Sequence, residues 1–107
     1  MEKIIQGSND PLILEVDGEI GAVKVLSAGL YSYGICKKLW TYDDVTISNN
    51  IIVLPLSEAD TLNLSRGTIT LDIKGLTEAG EVIFMDLVDY RVIERNNKTI
   101  LTPVEYE

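Results

Sequence analysis

The chain has 107 residues, a formal charge of −8, one cysteine and no histidine. That length fits one domain, 1–107, with a single core. The lone cysteine excludes an internal disulfide, and the missing histidines remove the commonest metal ligand and the usual general base near neutral pH. Acids occur throughout the chain with no basic stripe, so nucleic acid is not an expected partner, because phosphate binding draws on clustered Lys and Arg. Thirteen Ile, nine Val and eight Thr stand against four Ala, a bias toward sheet, since β-branched side chains suit a pleated surface. No apolar run approaches the roughly 18 residues that span a bilayer. The opening Met1 to Asp10 lacks the apolar core of a secretion signal. The expectation is a protein made and folded in a cytoplasm, with no membrane partner.

In chain order, Lys3 to Gln6 reads as a short strand closed by the turn residues Gly7 to Pro11. Leu12, Leu14 and Val16 then alternate with Ile13, Glu15 and Asp17, a half-buried strand before Gly18 and Gly21 turn the chain. From Ala22 to Gly29, Val23 and Val25 alternate with Lys24 until Ser27-Ala28-Gly29 interrupts, which predicts a short edge strand or an irregular crossing. Leu30 to Trp40 has two mostly apolar faces, as a central strand would show, with Gly34 marking a bulge or close approach and Cys36 a small core residue. Asn49-Asn50 suits a tight turn into Ile51 to Leu56. Pro55 marks that segment as an edge or an exit from the sheet.

The stretch from Ile51 to Val92 organises the rest. Ser57 with Asp60 three residues on has the pattern of a helix start, where hydroxyl and carboxylate accept from exposed backbone N–H groups. The turn ends by Leu62, and Ser65-Arg66-Gly67 reverses the chain. Thr68 to Lys74 alternates without a break, placing Ile69, Leu71 and Ile73 inside. Leu76 to Gly80 turns into the apolar strand Glu81 to Val88, with Val82 and Phe84 inside and a bulge expected at Asp86. A final strand is expected at Thr99 to Thr102, followed by a tail. Seven or eight short strands at this spacing predict an all-β antiparallel sandwich with one short helical turn.

Chemistry-bearing constellations are sparse. Asp43-Asp44 with Asp86 and Asp89 lack the spacing of a calcium loop. The same acids would need a cleft to act on a glycoside. Trp40, Tyr42, Tyr31 and Tyr33 form a candidate aromatic platform, weighed against the plainer reading that most of them are core. No enzyme activity and no cofactor are expected. The candidate interaction surface comprises Trp40, Tyr42, Val23, Val25 and Pro55, with edges expected at Ala22 to Gly29 and at the Pro55-bearing strand.

The order Ile5-Gln6-Gly7-Ser8-Asn9-Asp10-Pro11-Leu12, then Asp17-Gly18, then Leu54-Pro55-Leu56-Ser57 with Asp60-Thr61 and Leu64, then Gly67-Thr68-Ile69 and Gly80-Glu81-Val82, spans most of the chain. It resembles the N-terminal immunoglobulin-like domain of phage baseplate upper proteins. The chain departs from that pattern at Ile20 to Ala28, where the family often has an Asp-Leu-Thr-Gly turn. The resemblance implies an immunoglobulin-like sandwich without catalytic residues. It further implies a structural adaptor in the virion of a phage or prophage, made in the bacterial cytoplasm, whose partners are other tail or baseplate proteins or further copies of itself. A carbohydrate-binding or adhesion sandwich is the alternative, and it requires exposed aromatics.

Overall fold

A computed structural model describes residues 2–16, 23–77 and 79–98, with the backbone alone at 83–86. Among the described residues, eight strands form two sheets. The larger sheet contains β1 (Glu2–Ile5), β3 (Val23–Ser32), β4 (Ile35–Thr41), β7 (Gly67–Thr77) and β8 (Val82–Ile93), in the order β1-β8-β7-β3-β4. The smaller contains β2 (Leu12–Glu15), β5 (Thr46–Ser48) and β6 (Ile51–Leu54), in the order β2-β6-β5. Strands β2, β6 and β5 take the B, E and D places of an immunoglobulin-like sandwich, and β3, β7 and β8 the C, F and G places, with β4 beside C. The fold is the expected sandwich with one correction: β1 pairs with β8 in parallel, Glu2 opposite Tyr90 and Ile5 opposite Ile93, while every other described pairing is antiparallel.

The core lies between the sheets. Leu12, Leu14 and Val16 face Ile69, Leu71 and Ile73 across it, joined by Leu30, Trp40, Ile52, Leu54 and Tyr90, all buried. The alternation in β2 and β7 therefore reads true. The expected helical turn is α1 (Glu58–Leu62), and its cap is reciprocal. Asp60 N–H donates to Ser57 Oγ at 3.1 Å, and Ser57 N–H donates to Asp60 Oδ2 at 2.9 Å. Asn49 has a φ of 55°, as the tight turn between β5 and β6 requires.

Three expectations of side-chain direction fail, each at an extra residue in a strand. Opposite β7, Val23 pairs with Thr77 but Val25 with Leu76, so Lys24 is inserted. One inserted residue exchanges the two faces of a strand. Val23 is consequently buried and Val25 is 55% exposed. Opposite β3, Lys38 pairs with Leu30 and Cys36 with Tyr31, so Lys37 is inserted and Cys36, expected in the core, is exposed. Opposite β7 again, Phe84 pairs with Gly75 and Val82 with Leu76, leaving residue 83 as the extra one. Val82, expected inside, is thus exposed. The register shift expected at Asp86 lies here instead, and Asp86 pairs regularly with Ile73.

The segment expected as a single strand from Leu30 to Trp40 is two strands joined at Tyr33-Gly34, whose φ angles of 51° and 77° make a tight hairpin turn. Gly34 therefore serves a turn rather than a bulge. Gly18, Gly21, the strand expected at Thr99 to Thr102 and the Phe84 side chain lie outside the described residues.

Candidate interaction surface

The five residues singled out from sequence divide sharply. Trp40 is not a platform: its ring is buried between the sheets, and its indole N–H donates to the Pro55 carbonyl at 2.9 Å. This bond ties β4 of one sheet to the segment leaving β6 of the other. Lys38 Nζ stands 5.8 Å from the centre of the same ring. Val23 is also core. Pro55 is exposed, but it follows β6, and β6 is the middle strand of its sheet, so the proline marks an exit and not an edge. The edge expected at Ala22 to Gly29 holds only in part: Ser27 to Gly29 pair on both sides, with β7 and β4, whereas Val23 to Leu26 pair with β7 alone, and Ala22 lies outside the described residues. Alternation is blurred there because Gly29 and Ala28 are small and Lys24 is inserted, not because the strand is marginal. Gly29 faces outward with the Tyr31 ring lying over it, close enough to leave no room for a Cβ.

Tyr42 and Val25 are surface residues. Tyr42 begins a single 3-10 turn, Tyr42–Asp44, and is 37% exposed. Val25 belongs to a row that sequence inspection missed. The two inserted residues beside Leu76, one in β3 and one in β8, turn Val25 and Val82 outward on either side of it. Val25 and Val82 are each 55% exposed, and Leu76 is partly so. The result is a three-strand apolar row on the solvent face of the larger sheet. Bulges that re-aim side chains are a recurrent feature near binding sites. The smaller sheet also carries apolar side chains outward, with Ile13 opposite Val53 and Ile51 beside them.

Two of the acids weighed as a metal or glycosidic cluster, Asp44 and Asp89, have separate duties, as does Asp60 of the capped turn. Asp44 accepts from both the N–H and the hydroxyl of Thr41 at 2.9 Å, and those bonds hold its carboxyl below the usual range. Asp89 accepts from Thr70 Oγ1 at 2.7 Å across β7 and β8. For Asp60, partial burial opposes ionisation, but hydrogen bonds from Ser57 and Lys38 outweigh it and lower the pKa. Among the described residues, no three His, Cys, Asp or Glu side chains gather as metal ligands would.

The motif residues behind the baseplate resemblance meet in space. Gln6 Nε2 donates to the Leu64 carbonyl at 2.7 Å, and Gln6 Oε1 accepts from Arg95 N–H at 3.2 Å. Gly7 N–H donates to Thr61 Oγ1 at 2.9 Å, and that hydroxyl donates to the Ser8 carbonyl at 2.8 Å. Gln6 and Thr61 are buried. These residues lock the β1–β2 link to α1 and to the end of β8, so their role is architectural.

No family model matches the chain, and no curated protein does. Two solved structures share its fold. CopC from Methylosinus trichosporium OB3b is 14% identical with a TM-score of 0.58, over 91% of this chain and 89% of that one. An endo-beta-1,4-mannanase from Thermotoga petrophila is 11% identical with a TM-score of 0.60 over 89% of this chain, which spans only 18% of the mannanase. At such identities the likeness is one of fold alone.

Proposed function

We propose that this domain is a non-catalytic adaptor of a phage tail tip or baseplate, acting through assembly with other tail proteins. The observation that carries the reading is the Val25–Leu76–Val82 row, which two bulges deliver to the solvent face of a five-stranded sheet. Apolar side chains grouped on an exposed face mark protein contacts more often than isolated ones do. The sequence pattern that resembles that of baseplate upper proteins supplies the setting. The carbohydrate-binding alternative is weakened by the burial of Trp40, the side chain best suited to stack on a sugar ring.

Co-expression with the products of neighbouring tail genes, followed by affinity purification, tests the reading. The wild-type chain is expected to retain a tail protein, and Val25→Lys with Val82→Lys to lose it while keeping its unfolding midpoint. Retention by the double variant overturns the role of the row. Failure of the wild type to capture any tail protein, combined with tight binding on a glycan array, overturns the adaptor itself.

A further inference from the structure

At the opposite end of β7 from the apolar row, the fold gathers cations that lie far apart in sequence. Arg66, Arg91 and Lys98 line two adjoining grooves of about 510 and 490 Å³, which share Arg66 and Glu94 as their common wall. Lys3 stands beside Arg91 in the register of β1 on β8. Thus four of the chain's nine basic residues meet here, although its formal charge is −8. Glu94 is the acid that lines both grooves, and it touches its neighbours loosely, 3.9 Å from Arg66 Nη1 and 3.9 Å from Lys98 Nζ. Side chains this exposed hold an ion pair weakly, so an incoming carboxylate can displace it. Among the described residues, Arg91 has no ion-pair partner. Gly67, with a φ of 121°, lies in the groove wall and leaves open space where a side chain would stand, so another backbone can approach closely.

We infer that these grooves dock an acidic peptide segment of a partner protein, its carboxylates meeting the Arg66 and Arg91 guanidinium forks and its backbone passing Gly67. Charge complementarity selects the occupant. Guanidinium groups pair with carboxylates in two-bonded geometry, and a short acidic segment confined to the groove avoids most of the repulsion that the remaining surface exerts on a long polyanion such as nucleic acid. The site is distinct from the Val25–Leu76–Val82 row and stands whether or not that row binds a tail protein.

Fluorescence anisotropy with a labelled oligoglutamate peptide in low-salt buffer tests the inference, with oligoglutamine as the neutral control. Oligoglutamate is expected to bind, to weaken as salt rises, and to lose at least about tenfold in affinity, roughly 1.4 kcal/mol, in Arg66→Glu with Arg91→Glu. Lys74→Glu, which makes a smaller change in charge on the same sheet outside the grooves, is expected to bind nearly as wild type. Three results each overturn the inference: no binding of oligoglutamate, an equal loss in Lys74→Glu, or tighter binding of an oligonucleotide than of the peptide through the same arginines. Unchanged unfolding midpoints show that the exposed substitutions leave the fold intact.

Discussion

Strands β7 and β4 lie in the same sheet, each beside β3, yet only one is legible from its sequence. Strand β7 carries no inserted residue. Ile69, Leu71 and Ile73 point inward, Thr68, Asp72 and Lys74 point outward, and the polar–apolar alternation states the register directly. Strand β4 has apolar Ile35, Cys36 and Leu39 in the open and Trp40 inside, because Lys37 is an extra residue and the strand is an edge. Periodicity thus reports burial only while the residue count between partners is conserved. One insertion reverses the inference for everything on one side of it.

The sharpest way to break this comparison is to truncate neighbours on β4. Trp40→Ala is expected to cost about 3–5 kcal/mol, by the loss of a large buried ring, whereas Leu39→Ala should stay within about 0.5 kcal/mol. Urea titration of both variants decides it, and similar losses would refute the assigned faces.

Tyr90 probes the part of β8 that remains in register. Burial, reinforced by Glu2, pushes its pKa from 10.0 up to about 12. A pKa raised by folding stabilises the protein fully below pH 10, and that contribution declines as pH rises from 10 through about 12. Alkaline denaturation over this window is expected to steepen in the wild type and to flatten in Tyr90→Phe.

The Lys24 insertion is tested by paired isosteres. Val23→Thr buries a hydroxyl and should cost about 1–3 kcal/mol, while Val25→Thr should be nearly silent in thermal unfolding. Equal effects would put both valines on one face, as plain alternation predicts.

The smallest effect belongs to the capped turn, where no register is at stake. Ser57→Ala should cost about 0.5–2 kcal/mol. Because Asp60 has a lowered pKa in the fold, its contribution is present above the ordinary value of 3.8 and is lost as pH falls below it. The penalty of Ser57→Ala should therefore shrink on acidification, measured as the gap between the two unfolding midpoints.

The class of fold, the cores of β2 and β7, the Asn49 turn and the Ser57 cap were all legible, because each rests on local chemistry: alternation, a left-handed φ, a hydroxyl with a carboxylate three residues on. The candidate surface was read poorly. Of Trp40, Tyr42, Val23, Val25 and Pro55, only Val25 belongs to the apolar row. Its companions Leu76 and Val82 were missed because their outward aim comes from inserted residues that only strand pairing reveals. The grooves lined by Arg66, Arg91 and Lys98 were hidden for a different reason: no two of these residues are neighbours in sequence, and the overall acidity masked them. A usable clue was Arg66-Gly67 at a strand start, where glycine leaves the preceding cation uncovered.

The parallel pairing of β1 with β8 sets an order on the birth of the molecule. Antiparallel neighbours such as β3 and β4 can zip as soon as their short turn is made. Glu2–Ile5, by contrast, has its only sheet partner among the described residues in Tyr90–Ile93, and closing so long a loop carries an entropic cost that local hairpins escape. During synthesis β1 therefore waits for β8 before it is seated. Until then its apolar Ile4 and Ile5 remain open to other chains, and the Gln6 bonds that fasten this corner cannot all form before Arg95 has been added.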